Sequence, residues 1–410
     1  MKKGWEVKKL GEVFDIERGG SPRPIDSFLT NSPDGINWIK IGDTKGVTKY
    51  IYQTKEKIKP EGAKRSRVVN DGDFILSNSM SFGHPYIMKT TGCIHDGWLV
   101  LREKEPGIDK DFLYYVLDSD LICQQFDNLA SGATVRNLNI ELAKKVKIPL
   151  PPLPEQLRIV AILDKAFAAI AAAKANAEKN LQNARELFES YGEDIFANPG
   201  EGWEEKKLGD KTLLKIIDGD RGKNYPKRAD FYEEGYCLFL NTGNVRPDGF
   251  IFESTAFINE KKDKALGNGK LNRNDVVMTT RGTIGNVAVF SDDVDYHNIR
   301  INSGMLIFRP NLKFITSEYL FEIFRSGITK AQIDKHVSGA AQPQLPIKTL
   351  VNFTIPVPKS LSEQRSIVAK LDALSSETKK LEAIYQKKLA DLDEMKKSIL
   401  QKAFSGELTG

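Results

Sequence analysis

With 410 residues, the chain is longer than one compact core accommodates and divides into two or more domains. Hydrophobic residues make up 40% and charged residues 28%, an ordinary globular composition, and no run approaches the roughly 20 apolar residues of a membrane span. The 60 basic and 55 acidic residues leave a net charge of +5, which permits a polyanionic partner without demanding one.

The opening Met1-Lys2-Lys3-Gly4-Trp5-Glu6 has no apolar leader. Cys93, Cys123 and Cys237 are odd in number and far apart, which argues against a disulfide framework or a zinc site. A cytoplasmic protein with reduced thiols is expected. Up to about residue 150, short runs at Ile36 to Ile41, Phe74 to Leu76 and Trp98 to Leu101 are bounded by Gly, Asn and Asp and predict strands. Phe112 to Leu117 predicts a short helix.

Pro149, Pro151 and Pro152 end the sheet, and Pro154 suits a first helical turn, where its missing N–H is not needed. Apolar residues then recur in steps of three and four, through Val160, Leu163, Phe167, Ile170, Lys174, Ala177, Leu181, Ala184, Phe188, Tyr191 and Ile195. That narrow seam predicts a coiled-coil helix, ended by Asn198-Pro199-Gly200. Strand-like runs return at Val276 to Met278 and Met305 to Phe308, and a short helix at Tyr319 to Phe324. Ser360 and Glu363 then have the spacing of a capping box. A second seam follows through Ile367, Leu371, Leu374, Thr378, Leu381, Tyr385, Lys388, Leu392, Met395 and Ile399, with Gly406 beyond it.

The chain is a tandem duplication with a period of about 200 residues. Gly4-Trp5-Glu6 returns as Gly202-Trp203-Glu204, and Lys8-Lys9-Leu10-Gly11 as Lys206-Lys207-Leu208-Gly209. Asp73-Phe74-Ile75-Leu76 returns as Asp275-Val276-Val277-Met278, with Gly83 matched by Gly285. The run Ile94 to Arg102 (IHDGWLVLR) returns as Ile301 to Arg309 (INSGMLIFR), and Ser131-Gly132-Ala133 as Ser338-Gly339-Ala340. Ile148-Pro149-Leu150-Pro151 returns as Ile355-Pro356-Val357-Pro358, and Glu155-Gln156 as Glu363-Gln364. A seam of about 40 residues is about 60 Å long, more than one neighbouring domain could cover. The two seams therefore pair most economically with each other, antiparallel.

These residues resemble the specificity subunits of Type I restriction-modification enzymes. The likeness lies in the Gly-Trp-Glu-x-x-x-Leu-Gly opening of each repeat, in the helix entries Pro149 to Gln156 and Pro356 to Gln364, and in Lys396 to Gly406 (KKSILQKAFSG). It covers essentially the whole chain in order. The resemblance implies an α/β chain with two mixed α/β target-recognition domains separated by two long helices in an antiparallel coiled coil. The expected segments are recognition domain 1 over 1–150, a central spacer helix over 151–198, recognition domain 2 over 199–358 and a C-terminal spacer helix over 359–410. It further implies double-stranded DNA, two methyltransferase subunits and restriction/translocase subunits as partners, and no membrane. S-adenosylmethionine, ATP and Mg²⁺ would belong to those partners, so no cofactor is expected on this chain. Two antiparallel copies have a pseudo-two-fold axis, which matches the dyad of duplex DNA. Diverged halves should then read two different half-sites, with the coil acting as a ruler between them.

Positions that diverge between copies next to matched scaffold point to DNA readers. Ser77-Asn78-Ser79 aligns with Thr279-Thr280-Arg281, and Thr134-Val135-Arg136-Asn137 with Ala341-Gln342-Pro343-Gln344. Arg can form paired bonds to guanine, and Asn or Gln to adenine. Arg136, Asn137, Arg281, Gln342 and Gln344 are accordingly the candidate base readers, flanked by Ser77, Asn78, Ser79 and Thr280. The plainer reading of each is a solvated loop residue. Arg18-Gly19-Gly20-Ser21 and Asp220-Arg221-Gly222-Lys223 could place Arg18, Arg221 and Lys223 on phosphates, although such runs are more often plain turns. Lys64, Arg65 and Arg67 fit a solvated basic face better than a phosphate track.

Nothing in the chain calls for catalysis. A methyltransferase needs a Gly-rich cofactor loop and an Asn-Pro-Pro-aromatic or Pro-Cys element, and Asn198-Pro199-Gly200 lacks the second proline and the aromatic. Gly267-Asn268-Gly269-Lys270 has the wrong spacing for a phosphate loop, and His84, His95, His297 and His336 are isolated. A non-catalytic subunit is expected. The rival readings are a coiled-coil scaffold whose globular ends bind protein, and the specificity chain of an enzyme whose cutting and methylating activities share one polypeptide.

Overall fold

The computed structural model describes residues 2–78, 83–130, 138–337 and 343–408. The chain forms two compact units, one of Met1–Glu178 with Gln386–Gly410 and the other of Lys179–Tyr385. Each long helix therefore gives part of its length to each unit.

In the first unit, strand Glu6–Lys9 pairs antiparallel with Lys147–Leu150 and closes the domain at the start of the helix. The main sheet has the order Phe14–Arg18, Trp98–Glu103, Phe74–Ser77, Pro85–Met88, Tyr50–Ile51. A second sheet contains the parallel pair Ile36–Ile39 and Gly92–Ile94. The second unit repeats this plan. Trp203–Lys207 pairs with Thr354–Pro358, the main sheet runs Leu214–Asp218, Met305–Pro310, Val276–Thr279, Val287–Val289, and Cys237–Leu240 lies parallel to Ile299–Ile301.

Period-2 alternation explains why the central strand reads as a continuous apolar run. Leu99 and Leu101 point into one core with Phe74 and Leu76, while Trp98 and Val100 point into the other with Ile75. Leu306 and Phe308, against Met305 and Ile307, do the same in the second unit. A strand buried on both faces has no polar side to show. Each such side chain contributes on the order of 1.5–3 kcal/mol by leaving water.

The long helices run Leu153–Ala197 and Leu361–Ser405. The first therefore stops just before Asn198-Pro199-Gly200, and the second ends at Gly406, whose φ of +87° favours glycine. Within the first unit, Lys174 pairs with Asp393, and Lys396 lies 5.3 Å from the centre of the Phe167 ring. Within the second, Arg185 Nε donates to Glu382 Oε1 at 2.8 Å. A Cβ at Gly192 would lie 4.0 Å from Leu371, so in both units residue number rises along one helix as it falls along the other, and the pairing is antiparallel.

The expected seams are partly displaced. Ile170, Ala177, Ala184, Leu371 and Thr378 are buried as the spacing predicts, but Tyr191, Leu381 and Met395 are exposed. On the second helix after Thr378, Tyr385, Leu392 and Ile399 face inward as expected, while Glu382, Leu389 and Lys396 replace Leu381, Lys388 and Met395, one residue later than expected. There the Glu382 carboxylate meets Arg185 and the Lys396 ammonium lies over Phe167, contacts that apolarity alone does not reveal. The capping box is half formed. Ser360 Oγ accepts from Glu363 N at 3.4 Å, while the Glu363 carboxylate takes the Trp203 indole N–H at 2.7 Å instead of reaching back.

Candidate nucleic-acid interface

At the same end of the main sheet in both units, a glycine after the first strand lies against a four-residue turn, His95–Trp98 or Asn302–Met305. A Cβ at Gly19 would fall 2.1 Å from the His95 carbonyl oxygen, and one at Gly219 would fall 2.3 Å from that of Asn302. Only glycine permits this approach. Arg18 Nε then donates to Asp96 O at 2.8 Å, and Ser21 Oγ to Asp96 Oδ1 at 2.6 Å, a bond that holds the Asp96 carboxyl below the usual carboxylate range. In the second unit, one Arg221 nitrogen donates to Ser303 O and to Asp218 Oδ1, both at 3.2 Å. Both candidate phosphate arginines thus stay exposed while anchored to the turn. Lys223 is exposed beside Gly222, whose N–H is fixed by Asp220 Oδ1 at 2.6 Å.

Ser77, Asn78 and Thr280 are the corrections. All three are buried and bonded within the fold. Ser77 Oγ accepts from His84 N at 3.0 Å, Asn78 Nδ2 donates to Asp96 O at 3.0 Å, and Thr280 Oγ1 donates to Gly304 O at 3.1 Å. They end a strand whose side chains face inward and shape the turn, with the buried Asn78 Oδ1 left without a hydrogen-bond partner among the described residues. Arg281, one position further, is exposed, and no carboxylate pairs with it among the described residues. An antiparallel bridge joins Arg281 to Gln344, also exposed, and Leu345 N donates to Thr280 O at 3.0 Å. Leu138 N makes the matching bond to Asn78 O at 2.9 Å. The chain after each short helix therefore returns to the same strand end. Ser79, Arg136, Asn137 and Gln342 lie outside the described residues. Of the basic cluster, Arg67 pairs with Glu17 at 3.2 Å and Arg65 lies over the Phe28 ring.

Two elements of this end escape the sequence reading. One is the turn itself, His95-Asp96 against Asn302-Ser303, hidden inside a matched run that reads as scaffold. The other is the short turn after the parallel strand, where Thr242 Cγ2 lies 3.0 Å from where a Gly304 Cβ would sit. Only the crossover of the second sheet brings it there. Among the described residues no group of three or more His, Cys, Asp or Glu could hold a metal ion, and no helix is long and apolar enough to cross a membrane.

His95 makes the first turn sensitive to pH. Gly97 N lies 2.6 Å from its Nδ1 and Ile41 N lies 3.1 Å from its Nε2; a neutral ring can accept from one of these N–H groups, and a doubly protonated ring from neither. Burial, with Lys40 nearby, lowers its pKa against the pull of Asp96 and Asp43. Because the folded value lies below the ordinary 6.5, the neutral ring stabilises the fold in full above that pH and less as pH falls through it. Thermal melts between about pH 7.5 and 5.5 should show a loss of stability that His95→Asn, the residue of the second copy, removes. An unchanged pH dependence in that variant would assign the loss elsewhere.

The Type I restriction modification DNA specificity domain matches residues 2–181 and again 200–389. The MjaIX specificity subunit of Methanocaldococcus jannaschii is 24% identical over 99% of this chain and 94% of its own length. The EcoBI specificity subunit of Escherichia coli is 26% identical over 99% and 86%. Among solved structures, a chain of a type I R-M system superposes with a TM-score of 0.80 at 22% identity, covering 100% of this chain and 99% of its own. The HsdS subunit of Thermoanaerobacter tengcongensis gives 0.65 at 23%, covering 100% and 98%. Both likenesses are to the fold.

Proposed function

The chain belongs to the Type I restriction modification DNA specificity family, and from that premise we propose that its two domains read the two halves of a split, asymmetric DNA site. It is the non-catalytic DNA specificity subunit of a Type I enzyme, working with methyltransferase and restriction subunits. The observation that carries the split reading is the recurrence of one loop cluster with different side chains. On the same backbone frame Asn302-Ser303 replaces His95-Asp96, and the exposed Arg281 stands at the position that Ser79 holds in the sequence of the first copy. A shared frame with altered edges suits two copies that meet the same groove and different bases. Arg281 and Gln344 are the base readers of the second unit in this reading, and Arg18, Arg221 and Lys223 contact phosphate.

The long helices carry exposed apolar side chains that a partner could cover, Leu153, Leu157 and Met395 in the first unit and Leu187, Tyr191 and Ile384 in the second. Leu187 and Tyr191 line one cleft with Ala373 and Leu374, the kind of contiguous apolar surface that suits a partner. We assign these two helical stretches to two methyltransferase subunits.

Methylome sequencing of a methylation-free host tests the reading, with the cognate methyltransferase expressed alone or with this chain. A bipartite motif that needs this chain is expected. A stable complex of the two proteins that yields no motif would favour a scaffold. One turn inserted into each helix, about 6 Å, should lengthen the unread gap by roughly two base pairs. An unchanged gap would remove the ruler.

A further inference from the structure

We propose that Gln156 and Gln364 are positioning residues for target reading, each fixing the direction in which its recognition domain leaves the long helix and so the gap accepted between half-sites. The proposal rests on the split-site reading above. Each glutamine is the fourth residue of its helix, and they are 1% and 0% exposed. Gln156 Oε1 accepts from Asp109 N at 2.8 Å, while its Nε2 donates to Pro151 O at 2.8 Å and Gly107 O at 3.2 Å. Gln364 repeats the set, accepting from Thr316 N at 2.9 Å and donating to Phe314 O at 2.8 Å and Pro358 O at 3.0 Å.

The partners are not arbitrary. Asp109 caps Lys110–Leu117 through Phe112 N, and Thr316 caps Ser317–Arg325 through Tyr319 N. One amide therefore joins the start of a recognition-domain helix to the start of a spacer helix. An apolar residue of that volume would fill the space without setting an angle, whereas three directional bonds set one. Glutamate lacks the donors and asparagine is one methylene short. Burial on both sides keeps water from replacing the bonds.

A control with similar chemistry exists inside the domain. Gln125 accepts from Lys147 N and donates to Lys147 O, both at 2.9 Å, and ties a short helix to the edge strand with no hydrogen bond to the long helix among the described residues. The test expresses the full chain with its methyltransferase as wild type, Gln156→Met, Gln364→Met and Gln125→Met, and reads the gap lengths of methylated sites. In the first two variants the half-site sequences should stay the same. The preference for the native gap over gaps one base pair longer or shorter should fall roughly tenfold, the scale of about one released hydrogen bond. Gln125→Met should lower methylation evenly and keep the gap.

An unchanged gap preference in Gln156→Met and Gln364→Met overturns the proposal, as does equal broadening in Gln125→Met. Failure of both junction variants to accumulate, with Gln125→Met soluble, assigns the glutamines to folding alone and also overturns it. Absence of a bipartite motif in the wild type would instead remove the reading beneath it.

Discussion

Replacing Arg300 with alanine is expected to destabilise the second recognition domain by about 3–5 kcal/mol, the scale for stranding one member of a buried ion pair. Arg300 and Asp263 are 5% and 2% exposed. Arg300 Nε meets Asp263 Oδ1 at 2.5 Å, and the remaining nitrogens donate to Asn268 O at 2.7 Å, Asp263 O at 2.8 Å and Leu266 O at 3.3 Å. Alanine would leave the Asn268 and Leu266 carbonyls without this donor, Asp263 O with the Leu266 N–H at 3.3 Å, and the Asp263 carboxylate with Lys270 as its remaining cation, 2.7 Å away. The pair is not required by the fold, because the equivalent strand of the first copy carries Cys93, buried beside Trp38 and Ile58. The double variant Arg300→Met, Asp263→Leu should therefore recover most of the loss. Urea denaturation of the full chain measures both. A loss below about 1 kcal/mol for Arg300→Ala would mean that water already screens the pair.

The second large effect concerns reading. Arg281→Ala should relax the second half-site at one base position, with about 1–3 kcal/mol of discrimination lost there. The side chain is exposed at a strand end whose backbone is held on both sides, by Thr280 N to Gly304 O at 2.8 Å and by the bridge to Gln344. A guanidinium on a fixed base, with no carboxylate competing for it among the described residues, suits the two acceptors of guanine in the major groove. Lys223→Ala is the contrasting case. It should weaken binding on every sequence alike and lower the salt dependence by about one phosphate contact. Binding to a panel of single-base variants at two salt concentrations separates the two behaviours. Uniform weakening by Arg281→Ala would move it to phosphate.

Much of this architecture was legible because a duplicated chain is its own comparison. The matched Ile94 to Arg102 and Ile301 to Arg309 mark the central strands, and proline followed by three-and-four spacing marks both helix starts. Periodicity reports which residues avoid water, so it located Leu371 and Thr378 correctly. It could not see that Glu382 and Lys396 turn inward, to Arg185 and the Phe167 ring, while Leu381 and Met395 face out.

Divergence between copies was a weaker guide to the interface. It singled out Arg281 and Gln344, which the fold brings into register across 63 residues of chain. It also singled out Ser77, Asn78 and Thr280, whose side chains face the core.

The amino-acid sequence by itself determined the duplication, the strand and helix types and the absence of a catalytic motif, since these rest on local pattern and repetition. Tertiary structure alone decided which polar residues reach solvent at the sheet end, that Thr242 and the His95 and Asn302 turns lie there, and that one glutamine amide joins two helix starts. Those facts depend on contacts between segments far apart in the chain, and no local pattern encodes a meeting point.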